Sequence, residues 1–284
     1  MNTLEEEIHE GDHVVMYMNK NSFSVIKVAA GKIFQNKLGN FPHSKYIIGK
    51  HYGDSINTSE GSVYFLKNCP SLYTTVITHR TQVLYQETIA PVLAYFDITP
   101  DSIIVESGTG SGCLSAAFAS RLQFGEVRGK GHLFTFEFHE QRKLKAQEDF
   151  NEMGFKDVIT VVLRDAVKEG FVVENELAFG DADCVFLDLP NVDQAITNAY
   201  NILRPGGKIC CFCPCIEQIQ RSCEELKRDN RFTNLLTKEN VILPYSVRGS
   251  EKKREDGMPE EVLTQRTGMV KGHVGYVTFA MKTF

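Results

Sequence analysis

Eight residues concentrate the chemical information in this chain: Val105-Glu106-Ser107-Gly108-Thr109-Gly110-Ser111-Gly112. A strand-like, β-branched run from Ser102 to Val105 ends there in a carboxylate and three alternating glycines, and the apolar segment Cys113 to Leu122 follows as a helix. Glycine accepts positive φ and carries no Cβ, so this is a strand-to-helix turn whose backbone a nucleotide-like ligand can touch. A dinucleotide fingerprint spaces its glycines as G-x-G-x-x-G and seats a pyrophosphate on the helix N-terminus. Here the spacing is G-x-G-x-G, and Glu106 stands where it would repel a pyrophosphate and suit a cation. The sulfonium and ammonium of S-adenosylmethionine (SAM) meet that requirement, and a dehydrogenase cofactor does not.

In an open α/β sheet the ligand lies across the carboxyl ends of the strands. Four acids take such positions: Glu106, Glu137, Asp165 and Asp188. Glu137, near the end of the strand Gly131 to Phe138, is suited to accept hydrogen bonds from two ribose hydroxyls. Its distance from the turn exceeds the ~20 residues of the dinucleotide fingerprint, and the insertion Phe124 to Lys130 accounts for the excess. Asp165 follows the strand Val158 to Leu163 and is placed to read an adenine amino group. Any one of these acids alone reads as a solvated strand end; four in register do not.

Asp188 lies in Val185-Phe186-Leu187-Asp188-Leu189-Pro190, at the end of the fourth strand, where the reacting atom is faced. A carboxylate there can position an amino group, remove a proton or stabilise a cation. Pro190 stiffens the exit and removes an N–H donor. Enzymes that methylate exocyclic amines often place an aromatic after such an apolar-Pro pair. Asn191 occupies that position here, which points to a base that stacks elsewhere.

Cys210-Cys211-Phe212-Cys213-Pro214-Cys215 invites a metal reading. Zinc sites take paired C-x2-4-C knuckles, and adjacent strand residues point to opposite faces, so the run reads as buried strand cysteines without a metal. No neighbouring histidine or base marks a cysteine nucleophile.

These residues need a frame, and the pattern of the chain supplies one. Residues 11 to 66 read as short β segments, Val14 to Met18, Phe23 to Val28, Tyr46 to Ile48 and Val63 to Leu66, separated by turn residues. Cys69-Pro70-Ser71 reads as a connector, and a helical pattern runs from about Thr78 to Phe96, with Pro91 kinking or delimiting it. After Asp101, strands and helices alternate: Glu140 to Met153, Asp193 to Leu203 and Ile216 to Asp229 are helices, and Cys184 to Leu187 and Lys208 to Cys213 are strands. Such βαβ alternation implies a largely parallel sheet covered on both faces. Val241 to Val247 and Val274 to Met281 read as closing strands, and the polar stretch Gly249 to Glu261 between them as a mobile solvent loop. The expected organisation is a β-domain over 1–68, a connector and helix over 69–100, and a catalytic domain over 101–284.

With 284 residues and 42% hydrophobic content the chain has the core for two domains. No run has membrane-spanning length, no basic-then-apolar leader opens the chain, and eight cysteines in a chain this long do not form a small disulfide scaffold, so a soluble intracellular protein with reduced thiols is expected. A net charge of −5 argues against nucleic acid only if it is averaged over the surface. From His13 to Gly53 there is no acid, while Lys20, Lys27, Lys32, Lys37, Lys45 and Lys50 fall in that window with His43 and His51. Such a local excess can bind phosphate.

The motifs resemble those of the catalytic subunits of eukaryotic tRNA adenine-N1 methyltransferases, which modify the T-loop adenosine at position 58. The resemblance spans nearly the whole chain and is carried by His79-Arg80-Thr81-Gln82, Glu106 to Gly112, Glu137-Phe138-His139-Glu140-Gln141-Arg142, Phe186 to Pro190, Pro214-Cys215-Ile216-Glu217-Gln218 and Gly272-His273-Val274-Gly275-Tyr276. It implies an α/β class I SAM-dependent methyltransferase, Rossmann-like with a mostly parallel seven-stranded sheet, preceded by a small N-terminal β-barrel that contacts RNA. By motif matching, Gln82, Leu84, Glu106, Gly108, Gly110, Ser111, Gly112, Cys113, Glu137, Arg142, Asp165, Ala166 and Asp188 would line the SAM site, and Asp188 would be the catalytic residue. The resemblance also implies a tRNA substrate, a homologous non-catalytic RNA-binding subunit in a heterotetramer of two copies each, no membrane, and a largely nuclear location. Asn191, where the family tends to have a small residue, and the 249 to 261 loop depart from the pattern. Two rivals explain less: an enzyme acting on a small molecule or protein leaves the lysine window and β-domain unused, and a non-catalytic paralogue should lack the glycine turn and Asp188.

Overall fold

The computed structural model of the chain describes residues 6–19, 22–77, 81–123, 129–250, 252–258, 261–266 and 274–283. It begins with strands β1 (His13–Asn19) and β2 (Ser22–Lys27), a ribbon of β3 (Ile33–Asn36) and β4 (Gly39–Pro42), one helical turn α1 (His43–Tyr46), and strands β5 (Ser55–Thr58) and β6 (Gly61–Lys67). Four of these form an antiparallel sheet in the order β2-β1-β6-β5, and β3 pairs with β4. Val14 and Met16 of β1 and Val63 and Phe65 of β6 alternate toward one face. There they meet Phe34 and Phe41 of the ribbon and Ile47, so sheet and ribbon enclose a single core.

Tyr46 to Ile48 is not a strand, as its β-branched content suggested. Ile47 and Ile48 both donate to the His43 carbonyl, at 3.0 and 2.9 Å, which closes a helical turn after Pro42. The Cys69-Pro70-Ser71 connector instead opens helix α2 (Pro70–Val76), with Pro70 at its first turn, where a missing N–H costs nothing. The next helix, α3 (Gln86–Phe96), starts later than the apolar spacing suggests and contains Pro91 in its interior. Residues 78–80, at the expected start, lie outside the described residues.

The second region alternates strand and helix: β7 (Ile103–Ser107), α4 (Cys113–Leu122), β8 (His132–Glu137), α5 (Glu140–Glu152), β9 (Ile159–Leu163), the short α6 (Ala166–Glu169), β10 (Ala182–Leu187), α7 (Val192–Ile202), β11 (Leu203–Cys213) and α8 (Ile216–Lys227). Four further strands follow: β12 (Phe232–Glu239), β13 (Tyr245–Gly249), β14 (Val262–Arg266) and β15 (Tyr276–Lys282). The seven-stranded sheet runs β12-β15-β11-β10-β7-β8-β9. Its five strands from β11 to β9 are parallel, and β15 lies antiparallel between β11 and β12.

Both faces are covered, as a parallel sheet requires. Ile104, Leu133, Phe186 and Cys210 face the layer containing α3 and α4, and Val105, Phe134, Val185 and Cys211 face that of α7 and α8. Cys210 and Cys211 therefore lie on opposite faces, and burial pushes both thiols well above their ordinary pKa, which removes them as nucleophiles.

Phe232–Glu239, rather than Val241 to Val247, is the edge strand beside β15. As an edge strand it is buried mainly at Phe232, so it lacks the apolar signal that the following segment carries. Tyr245–Gly249 instead pairs with β14 in a separate two-stranded ribbon. The connection between them is exposed over 252–258, and its ends are tied by Ser250 N–H donating to the Glu261 carbonyl at 2.8 Å.

Chain order runs outward from β7 to β9 on one side and from β10 to β11 on the other. The carboxyl ends of β7 and β10 are thus a topological switch point, where open α/β sheets bind ligands.

Candidate functional site

The turn between β7 and α4 has positive φ at Gly108 (+97°), Gly110 (+54°) and Gly112 (+81°). Ligand approach is one reason for glycine here, and the structure adds a nearer one. A Cβ at 108 would stand 2.1 Å from the Asp188 carbonyl oxygen, one at 110 would stand 2.8 Å from Thr81 Oγ1, and one at 112 would stand 2.7 Å from the Phe150 ring. A side chain at 108 would collide with backbone, and one at 110 or 112, where the backbone conformation favours glycine, would have to displace Thr81 or Phe150.

Neighbouring strands hold the turn in place. Gly108 and Thr109 N–H groups donate to the Phe136 carbonyl at 3.0 and 3.4 Å, and Gly112 N–H closes on the Thr109 carbonyl at 2.9 Å. Ser111 is buried, with its Oγ 3.4 Å from both the N–H and the Oγ1 of Thr81, while the Tyr73 hydroxyl donates to its carbonyl at 3.5 Å. Cys113 opens α4 inside the core. Gln82 is exposed on the segment that Thr81 fastens to the turn, and Leu84 packs against the core. His79 and Arg80, like Gly272 and His273, lie outside the described residues.

Glu106 is 1% exposed and sits one residue inside the strand end. Its Oε2 accepts from Ser115 Oγ at 2.5 Å and Thr135 Oγ1 at 2.7 Å, and Thr109 Oγ1 lies 2.7 Å from Thr135 Oγ1. Burial pushes its pKa up to about 7 against these hydroxyl donors, and the negative charge of Asp188 adds to the rise. Thr135 and Ser115 are partners of the Glu106 carboxylate that spacing alone does not reveal. The parallel register that sets Glu106 beside Thr135 does.

Glu137 is 4% exposed, and its Oε1 accepts from Arg142 Nη2 at 2.9 Å and from His139 N–H at 3.1 Å. The Arg142 guanidinium also lies 5.2 Å from the Phe138 ring centroid, and its Nε is buried without a hydrogen-bond partner among the described residues. Asp165 caps the short α6: Oδ1 accepts from Val167 N–H at 3.2 Å and Oδ2 pairs with Lys168 at 3.0 Å, which lowers its pKa. Ala166 behind it is buried.

Asp188 follows β10, and its N–H donates to the Ser107 carbonyl at 2.9 Å. Leu187, Ser107 and Phe136 are register partners across the three central strands, so Asp188, Gly108 and Glu137 stand at one level of the carboxyl edge. Asp165 lies just beyond this level and Glu106 just beneath it. Burial pushes the Asp188 carboxyl up to about 7. After it, the Pro190 carbonyl accepts from Gln218 Nε2 at 3.1 Å.

The buried Glu106 and the half-buried Asp188 suit a cationic ligand, Glu137 suits vicinal hydroxyls, and Arg142 Nε, without a partner among the described residues, offers a donor beside it. That set fits SAM.

Around the β3–β4 ribbon and α1, Lys32, Lys37, Lys45 and Lys50 are exposed. Lys27 pairs with Glu152 at 3.5 Å, and Lys20 lies outside the described residues. His43 does not belong to this basic surface. It is 2% exposed, its Nδ1 accepts from Ala29 N–H at 3.1 Å, and burial lowers its pKa.

Strand order, switch-point glycine turn and strand-end acids define a class I SAM-dependent methyltransferase. The chain belongs to the family described as tRNA methyltransferase complex GCD14 subunit, whose profile matches residues 61–261. It is 39% identical over 247 residues to the tRNA (adenine(58)-N(1))-methyltransferase catalytic subunit of Dictyostelium discoideum, covering 86% of this chain and 76% of that one. To the subunit of the same description from Candida albicans it is 34% identical, covering 85% and 70%. Against the Kluyveromyces lactis counterpart, also 34% identical, it spans 58% of the relative's length. Among solved structures, a SAM-dependent O-methyltransferase from Thermotoga maritima superposes with TM-score 0.80 at 23% identity, covering 98% of this chain and 95% of that one. The tRNA (m1A58) methyltransferase TrmI from Aquifex aeolicus does so with TM-score 0.75 at 17% identity, covering 98% and 100%. At these identities the two structures speak to the fold.

Proposed function

We propose that this chain is the catalytic subunit that transfers the methyl group of SAM to N1 of adenosine 58 in the T-loop of tRNA. The observation that carries the reading is Asp188, a half-buried carboxylate whose backbone is fixed at the switch point by Ser107 and the glycine turn. Family membership and the names of its relatives support the same substrate.

SAM supplies an electrophilic methyl group on a sulfonium, and Glu137, the glycine turn and Arg142 are the residues that hold it. Adenine N1 carries its lone pair at neutral pH, so the chain needs no strong base before attack. Asp188 accepts a hydrogen bond from the N6 amino group, which orients N1 and stabilises the positive charge that methylation places on the ring. Positioning supplies most of the acceleration. The target base must enter a pocket that presents N1 to the methyl group, and extruding it costs a few kcal/mol.

The exposed lysines around the β3–β4 ribbon and α1 contribute phosphate contacts. A homologous non-catalytic subunit, in a complex of two copies of each, supplies further RNA-binding surface, which is compatible with a net charge of −5 here. Location in the nucleus rests on the family resemblance. The test is transfer from methyl-tritiated SAM to native tRNA and to a tRNA whose T-loop adenosine is replaced by guanosine, with and without the partner subunit. Label is expected on the native tRNA alone; label on the guanosine form would sink the site assignment.

A further inference from the structure

Pro214-Cys215-Ile216-Glu217-Gln218 is a narrow sequence signature to which the reaction above assigns no work. In the structure its last residue has two bonds of different purpose. Gln218 Oε1 accepts from the Cys215 N–H at 3.2 Å, completing a capping box at the start of α8. Its Nε2 donates to the Pro190 carbonyl at 3.1 Å, reaching from the first turn of α8 to the loop that carries Asp188.

We infer that Gln218 is a positioning residue for methyl transfer: one side of its amide is anchored to α8, and the other clamps the loop 188–191. The clamp has a definite mechanical place. On the sheet side the Asp188 backbone is held by Ser107, which accepts its N–H, and by Gly108, which packs on its carbonyl. Two residues on, Pro190 has no N–H, so its carbonyl is the only backbone polar group with which it can be tied, and Gln218 takes it. The loop is thereby fixed at both ends before α7 begins. A carboxylate that must meet an incoming amino group within hydrogen-bond reach gains from that fixation, because small misplacements are costly in rate.

The kinetic arm rests on the proposed methyl transfer; a second arm does not. Two variants of the full chain, assembled with its companion subunit, separate the two bonds. Gln218→Glu keeps an acceptor for Cys215 N–H near a helix N-terminus but offers Pro190 no donor; Gln218→Met keeps the length and loses both. Melting temperature should follow the cap, falling in the Met variant and holding in the Glu variant. Turnover should follow the clamp: kcat on tRNA should fall about tenfold or more in both, with the KM for SAM unchanged. Amide hydrogen exchange of the segment 188–195, measured without substrate, should accelerate in both variants. A Glu variant with wild-type kcat and wild-type exchange, or kcat losses that track melting temperature, would overturn the inference. A wild-type complex that fails to methylate tRNA would count against the proposed function, and the exchange result would still decide the clamp.

Discussion

Gly108 lies so close to Asp188 that a β-carbon at position 108 would stand 2.1 Å from the Asp188 carbonyl oxygen. The glycine turn and the residue proposed to face the acceptor are therefore one packed unit across the switch point. Gly108→Ala should force them apart and strain a φ of +97°. Expected are a stability loss of about 1–3 kcal/mol and at least tenfold weaker SAM binding. Denaturant unfolding and calorimetric titration measure the two; unchanged affinity would show that the contact does not shape the pocket.

Glu106 predicts a pH effect of definite sign. Its pKa rises from 4.5 to about 7 on folding, so the folded state favours the protonated form. The stabilisation is fully present below pH 4.5 and is lost as pH rises through about 7. Glu106→Gln, which cannot ionise, should escape that loss, and the gap in favour of the variant should widen between pH 4.5 and 7 to the order of 3 kcal/mol. Parallel stability curves for the two proteins would contradict it.

Asp188 titrates in the same range, and a cationic ligand beside two such carboxylates should drive protons off them. Titration of SAM near pH 7 in buffers of different ionisation enthalpy should report net proton release. The neutral product S-adenosylhomocysteine should release fewer, and Asp188→Asn should reduce the SAM value. Equal release by both ligands would remove the electrostatic role given to these acids.

Removal of Arg142 should expose the dependence of Glu137 on its counter-charge. Arg142→Ala leaves a 4% exposed carboxylate without its 2.9 Å partner, a loss of roughly 2–3 kcal/mol in stability together with weaker SAM binding. Wild-type stability and affinity in this variant would place the pair outside the site.

Much of the catalytic region is legible in the sequence because a parallel sheet imposes long apolar strands with chemistry at their carboxyl ends. Cys113 to Leu122 forms the expected helix, and the four acids fall at or beside the strand ends. What is not legible depends on who packs against whom. The ribbon β3–β4 has little apolar content and one inward phenylalanine per strand, and β12, an exposed edge, is quieter than the Val241 to Val247 segment beside it. His43 reads as a surface cation until Ala29 N–H is found on its ring. The links Glu106–Thr135 and Gln218–Pro190 each cross between elements, so only strand register and helix placement reveal them.

The most direct measurement is single-turnover methyl transfer to native tRNA by Asp188→Ala alongside its SAM affinity. The prediction is abolished transfer with affinity only partly weakened, because Glu137 and the glycine turn still hold the cofactor. Turnover near that of the wild type would contradict the assignment of Asp188 to the acceptor.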